Sequence, residues 1–238
     1  MGVSIDARPG ETVLSEIRRR LDAGERVSVM YVNAHTLNVA CREPALRRAL
    51  HDSSFVLNDG VGVQMAGRLR GRRFPENLNG SDFTPRLLAL AAATHRRVFL
   101  LGGAPGVAAR AAMRLRAVLP ELRIVGTRHG YHVDPRADAA AVRASRADVI
   151  LVALGNPAQE LWLDRWLAAS GAQLGVAVGA FLDFQSGDLP RAPAWMNRVG
   201  LEWVYRLASE PRRLWRRYVI GNPLFIARAL LDLAHIDR

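Results

Sequence analysis

No lysine occurs anywhere in this 238-residue chain, so its formal net charge of +11 is carried entirely by arginine. Guanidinium groups stay charged and fork onto phosphate or carboxylate oxygens. A sequence pI near 11.3 therefore implies an acidic partner: phosphates, nucleic acid or an anionic bilayer. Cysteine is almost as scarce. Cys41 stands alone, which excludes an internal disulfide and any cysteine-based zinc cluster and fits a reducing compartment. No apolar run approaches the roughly 18–20 residues of a membrane-spanning helix. Met1–Leu21 carries acidic residues and no apolar core, so no signal peptide is expected there. These absences predict a soluble or peripheral protein.

What is present is an ordinary globular composition, 50% hydrophobic and 23% charged, on a chain long enough for one sizeable core. Strand-like and helix-like stretches alternate along it. Strands are expected at Arg26–Val32, Ser54–Leu57, Arg97–Leu101, Arg123–Thr127, Val149–Leu154 and Leu174–Val178. Helices are expected at Ile5–Gly24, Ala34–Leu50, Val61–Leu69 and Phe83–Thr94, then from the Gly102–Gly106 loop to Leu119, at Arg136–Arg146 and from Gln159 onward. This alternation predicts an α/β, Rossmann-like fold over residues 1–190, with a mainly parallel sheet and helices on both faces.

Open sheets of this kind bind ligands at the carboxyl ends of their strands. Here those ends carry Asn33, Asp59, Gly102-Gly103, Gly130-Tyr131 and the Gly155–Gln159 turn, with Glu160 beside Gln159. Asp59 precedes Gly60 and a helix, so it reads either as an N-cap or as a catalytic carboxylate. The Gly102-Gly103-Ala104-Pro105-Gly106 loop reads either as a phosphate cradle or as a structural tight turn. It lacks the third glycine and the following acidic residue of a dinucleotide fingerprint, which counts against a nicotinamide-dependent oxidoreductase.

The composition shifts after Pro190. Residues 191–238 hold nine arginines against four acids, with Arg206, Arg212, Arg213, Arg216 and Arg217 interleaved with Trp203, Tyr205, Trp215 and Tyr218. This basic helical appendage suits an anionic bilayer surface. A nucleic-acid surface or a solvated basic helix has the same composition, but no nucleic-acid-binding motif accompanies it, and no nucleic acid is expected as partner.

Several segments then occur in a telling order: Asn58-Asp59-Gly60, Asn79-Gly80-Ser81-Asp82, Leu101–Gly106, GNPAQE at Gly155–Glu160, Arg191-Ala192-Pro193, GLEW at Gly200–Trp203, Arg206, and EPRR at Glu210–Arg213. Together they resemble the WecB/TagA/CpsF glycosyltransferases (glycosyltransferase family 26), nearly throughout from Arg26 to Tyr218. The resemblance implies an inverting, metal-independent transfer without a cofactor. A UDP-sugar would be the donor and a polyprenyl-diphosphate-linked sugar the acceptor, at the inner face of the plasma membrane. It implies Asp59 as general base and Asn33, Tyr31, Asn77, Asp82, Gln159 and Glu160 as substrate contacts. Gly102, Gly103, Pro105, Gly106, Gly130, Tyr131, Gly155 and Asp183 would hold UDP, and the C-terminal arginines would meet lipid or diphosphate. Tyr31 and Asn77 depart from the teichoic-type pattern of Thr and Arg at the matched positions. Those two departures weigh against N-acetylmannosamine, and the Asn77–Asp82 segment resembles exopolysaccharide members such as the xanthan-type glucosyltransferases. The donor hexose is therefore expected to be glucose-like or N-acetylmannosamine-like, with the lean toward glucose. A homo-oligomer is left open.

Overall fold

The computed structural model describes residues 1–131, 134–193, 195–196 and 201–234. Six strands form one sheet, all parallel, in the order β2-β1-β6-β5-β3-β4. They are β1 (Val27–Val32), β2 (Phe55–Asn58), β3 (Arg97–Gly102), β4 (Arg123–Arg128), β5 (Val149–Ala153) and β6 (Leu174–Ala177). The inner strands read as continuous β-branched and aliphatic runs because both faces are covered, and every residue of β5 and β6 is buried.

Strand residues alternate between two cores. Val27, Val29, Tyr31, Val98, Leu100, Val149 and Leu151 face α1 (Gly10–Asp22), α5 (Gly80–Ala93), α6 (Val107–Val118) and α9 (Phe181–Ser186). Met30, Val32, Phe99, Leu101, Ile150 and Val152 face α2 (Ala34–Ala40), α3 (Pro44–Asp52), α7 (Pro135–Ala144) and α8 (Ala158–Ser170). The second core also takes Val63 of α4 (Val61–Leu69). β1 and β6 are neighbours, yet α2 leaves β1 toward one face and α9 leaves β6 toward the other. A crevice opens between helices that diverge in this way.

Two helices differ from the sequence expectation. The first begins at Gly10, because Pro9 fixes the entry and Asp6 pairs in a parallel bridge with Leu57. The stretch expected as one helix from Ala34 to Leu50 breaks at Cys41–Glu43. Pro44 cannot continue the first hydrogen-bond ladder but opens the second helix.

The basic appendage folds as α10 (Glu202–Ser209), α11 (Pro211–Trp215), a π-helical turn (Arg216–Ile220) and α12 (Gly221–Ala234). It is seated on the sheet domain. Leu214, Phe225 and Ala229 are buried. Asn38 of α2 donates to the Gly221 carbonyl at 2.7 Å and receives Arg228 at 2.9 and 3.1 Å. Among the described residues, no helix is long and apolar enough to cross a membrane.

Candidate active site

The site is built from the carboxyl ends of β1 and β2. β1 ends at Asn33, whose side chain does two things. Its Oδ1 caps α2, accepting from Thr36 N at 3.1 Å, and this turns Nδ2 toward Asp59 Oδ2 at 3.0 Å. A cap that takes the amide oxygen fixes which end of the amide faces the carboxylate. Asp59 itself is held by its backbone N–H to the Val32 carbonyl at 2.9 Å. The helix that follows is capped by Gly60, at φ +93, with no side-chain cap bond. Asp59 is therefore not the N-cap, and its carboxylate is free for another task.

Asn77 accepts the Gly60 N–H at 2.9 Å and so braces the turn behind Asp59. Asn79 caps α5, accepting from Asp82 N at 3.0 Å, while its Nδ2 donates to the Asp82 carboxylate at 2.8 Å. Asp82 also pairs with Arg191, the first residue of the appendage. Tyr31 lies below this surface. It is 6% exposed, its hydroxyl shares a hydrogen bond with Thr84 at 3.2 Å, and its ring underlies Gly80. Burial raises its phenol well above the ordinary value.

The appendage completes this corner. Burial pushes the Glu202 carboxyl of α10 above its ordinary value; the charges of Asp59 and Asp82 add to the push, and Arg206 and Arg191 oppose it. Arg206 stacks over the Phe184 ring of α9 at 5.6 Å. Glu202 was legible in the GLEW motif, but nothing in the sequence set it against Asp59.

A second polar cluster lies behind the first, under α8. Gln159 spans the crevice edge, accepting from Gly179 N at 3.0 Å and donating to Glu160 at 2.9 Å. Both were expected to project from the strand end. Instead both are buried, Glu160 to 1% exposure. Burial raises the Glu160 carboxyl; Gln159, Asn156 and the charge of Arg217 work against that. Burial, and then Arg217, hold the His35 imidazole down to about 4. One arginine from the appendage thus faces a buried carboxyl and a neutral histidine.

That depression has a measurable consequence. Between about 4 and the ordinary 6.5 the unfolded chain binds a proton at His35 that the folded chain refuses. The contribution is present above 6.5 and lost as pH falls toward 4. Glu160 has the opposite sign, since a raised carboxyl favours the fold at low pH. We expect His35→Gln to lose less stability than the parent across this window, measured by denaturant unfolding. Equal losses would show that His35 titrates normally.

The glycine loop lies at the end of β3. Gly102 has φ +133, and a Cβ there would meet the Ala153 carbonyl oxygen of β5 at 2.2 Å. Gly130 donates to the Gly103 carbonyl at 2.8 Å, and a Cβ on it would approach Gly102 Cα at 3.2 Å. Gly106, at φ +88, opens α6 after Pro105. Beside it a depression of about 300 Å³ is lined by Gly106, Ala108, Ala109, Thr127, Arg128 and His129. Gly155 has φ +78 and open space around it. Tyr131 is 75% exposed. Asp183 lies in the first turn of α9, its carbonyl accepting from Ser186 and Leu189.

The appendage arginines divide by direction. Arg206 and Arg217 turn toward the two polar clusters. Arg212 and Arg216 are exposed, the latter over the Trp215 ring at 5.3 Å. The side chain of Arg213 lies outside the described residues, as does Gly200 of the GLEW segment.

Comparison with known proteins agrees with this architecture. The profile described as the glycosyl transferase WecG/TagA/CpsF family matches residues 1–237. A protein of Bacillus spizizenii named N-acetylglucosaminyldiphosphoundecaprenol N-acetyl-beta-D-mannosaminyltransferase is 32% identical over 210 residues, 88% of this chain and 81% of that protein. A Bacillus subtilis protein of the same name is 32% identical over 186 residues, 78% of this chain and 72% of its own. With a carboxylate freed from capping, a glycine loop at β3 and this match along its length, the chain belongs to the WecG/TagA/CpsF family of glycosyl transferases.

Proposed function

We propose that this protein moves a hexose from a UDP-sugar to a sugar carried on a polyprenyl diphosphate, with inversion and without a metal ion. The observation that carries the reading is the Asp59 carboxylate, held by Asn33 Nδ2 at 3.0 Å and released from any capping role. As the acceptor hydroxyl attacks the anomeric carbon, it loses its proton to Asp59 Oδ1. Single displacement inverts that carbon, and UDP leaves with the bonding electrons. Its developing charge is met by backbone N–H groups at the start of α6 and by Arg206 and Arg217.

The names of the relatives favour N-acetylmannosamine as the donor sugar. Tyr31 and Asn77 pointed toward a glucose-like sugar. In the structure, however, Tyr31 is engaged by Thr84 and Asn77 by Gly60, so neither substitution by itself rejects an N-acetyl group. We therefore place UDP-N-acetylmannosamine first. The lipid-linked acceptor requires work at a bilayer, and the exposed Trp203, Trp215, Arg212 and Arg216 suit an anionic surface.

The test is UDP release from UDP-N-acetylmannosamine and from UDP-glucose, each with and without polyprenyl-diphosphate-linked N-acetylglucosamine, in the presence of EDTA. Release that depends on the acceptor and is faster with the N-acetyl donor is the expected result. Faster turnover of UDP-glucose would reverse the donor, and loss on chelation would reverse the metal independence. No acceptor-dependent release from either donor would overturn the reading.

A further inference from the structure

The helix that begins at the proposed base wears its apolar residues on the outside. α4 turns Val63 and Ala66 toward the core and sets Gly62 against the Phe225 ring of α12. This leaves Val61, Met65 and Leu69 outward, at i, i+4 and i+8, exposed by 41%, 53% and 54%. Three such side chains in line on a free surface lack the burial that would normally pay for them.

α12 repeats the inversion. Its exposed positions from 223 to 231 are Pro223, Ile226, Ala227, Leu230 and Leu231, all apolar. Its charged residues point elsewhere: Arg228 bonds Asn38, and Asp232 is held by the Met1 amino group and by Arg70. Gly62 lies against Phe225 and Arg70 pairs with Asp232, eight and seven residues further along each helix. The two helices therefore run parallel, side by side, and Val219 and Ile220, in the turn just before α12, are exposed as well. Exposed arginines flank this surface in sequence, with Arg68 in the last turn of α4, Arg72 and Arg73 just beyond it, and Arg212 and Arg216 before α12.

We propose that α4 and α12 together form a bilayer-contacting face, so that membrane docking acts directly on the helix that follows Asp59. The occupant is an anionic lipid surface. An apolar surface with flanking arginines matches acyl boundary and phosphate headgroup, whereas a second copy of this chain would bring like charges together. This rests on the reading of a lipid-linked acceptor. It adds α4 to a surface that sequence composition confined to the appendage, and it places the reacting carboxylate next to the lipid.

The experiment uses the full-length chain with Cys41→Ser and Met65→Cys, labelled at Met65→Cys with an environment-sensitive nitrobenzoxadiazole probe. Vesicles of phosphatidylglycerol mixed with phosphatidylcholine are compared with phosphatidylcholine alone. A blue shift and intensity gain on the anionic vesicles are expected. In the unlabelled chain, Met65→Asp with Leu69→Asp should lower vesicle partitioning by about tenfold or more, with unchanged thermal melting. Full partitioning with a silent probe would overturn the role of α4 and leave the appendage as the anchor. A blue shift without lipid, with dimers in solution, would give the face to a second copy and overturn the proposal. So would failure to bind either vesicle. Turnover on a short-chain, water-soluble acceptor, followed in the same preparations, keeps these outcomes distinct from failure of the transfer reaction itself.

Discussion

Asp59→Asn is expected to lower turnover by about 10²–10⁴-fold while UDP-sugar binding stays within about twofold. The substitution is nearly isosteric. Asn33 can still donate from Nδ2 to an oxygen at position 59, because its own Oδ1 remains committed to the α2 cap. What is lost is the ability to accept the acceptor's proton as the new bond forms. Calorimetric titration of UDP-sugar and steady-state UDP release measure the two halves separately. Turnover within a few-fold of the parent would remove Asp59 as the base.

Glu202 makes that experiment sharper. It is a rival carboxyl within electrostatic reach of Asp59, delivered by the appendage, and burial pushes it above the ordinary glutamate value. If Glu202 were the base, Glu202→Gln would abolish turnover and Asp59→Asn would not. If Asp59 is the base, the order reverses, and Glu202→Gln acts through the charge balance around Asp59, Asp82, Arg191 and Arg206. That role shifts the pH profile rather than removing the chemistry.

The parts of this protein legible in its sequence are those governed by short-range rules. A buried strand writes itself as a β-branched run, and a strand end as an Asn, Asp or Gly. All six strands and the polar termini of the sheet could therefore be placed from the chain alone. The break at Pro44 was also written there, but a continuous apolar pattern on either side hid it. The two roles of Asp59 could not be separated from sequence, since an Asp before Gly serves a cap and a catalyst equally. Only the observed capping by Gly60 separates them. The cluster of Glu160, His35 and Arg217 was out of reach for another reason. Its members come from α8, α2 and the appendage, and no local pattern records that one arginine from the tail reaches both.

The glycine loop gives the largest expected change in stability. Gly102 pairs with Ala153 across β3 and β5, and its φ of +133 lies where only glycine is comfortable. A methyl group would sit 2.2 Å from the Ala153 carbonyl oxygen, far inside contact distance. That oxygen belongs to the backbone and accepts from Gly103 N at 3.1 Å, so it cannot step aside without opening the ladder. We expect Gly102→Ala to cost about 4 kcal/mol or more. At roughly 2–4 °C per kcal/mol for a chain of this size, the melting temperature should fall by about 10 °C. Gly155 is the control. It ends the neighbouring strand at φ +78 but has nothing within 4 Å of a built Cβ, so Gly155→Ala should cost only the left-handed strain of about 1–2 kcal/mol. Thermal melts of the two variants beside the parent separate clash from strain. Equal losses would mean that β3 and β5 can part at this edge. The backbone N–H groups after Gly102 would then not be preorganised for a diphosphate, and stabilisation of the leaving group would have to come from Arg206 and Arg217.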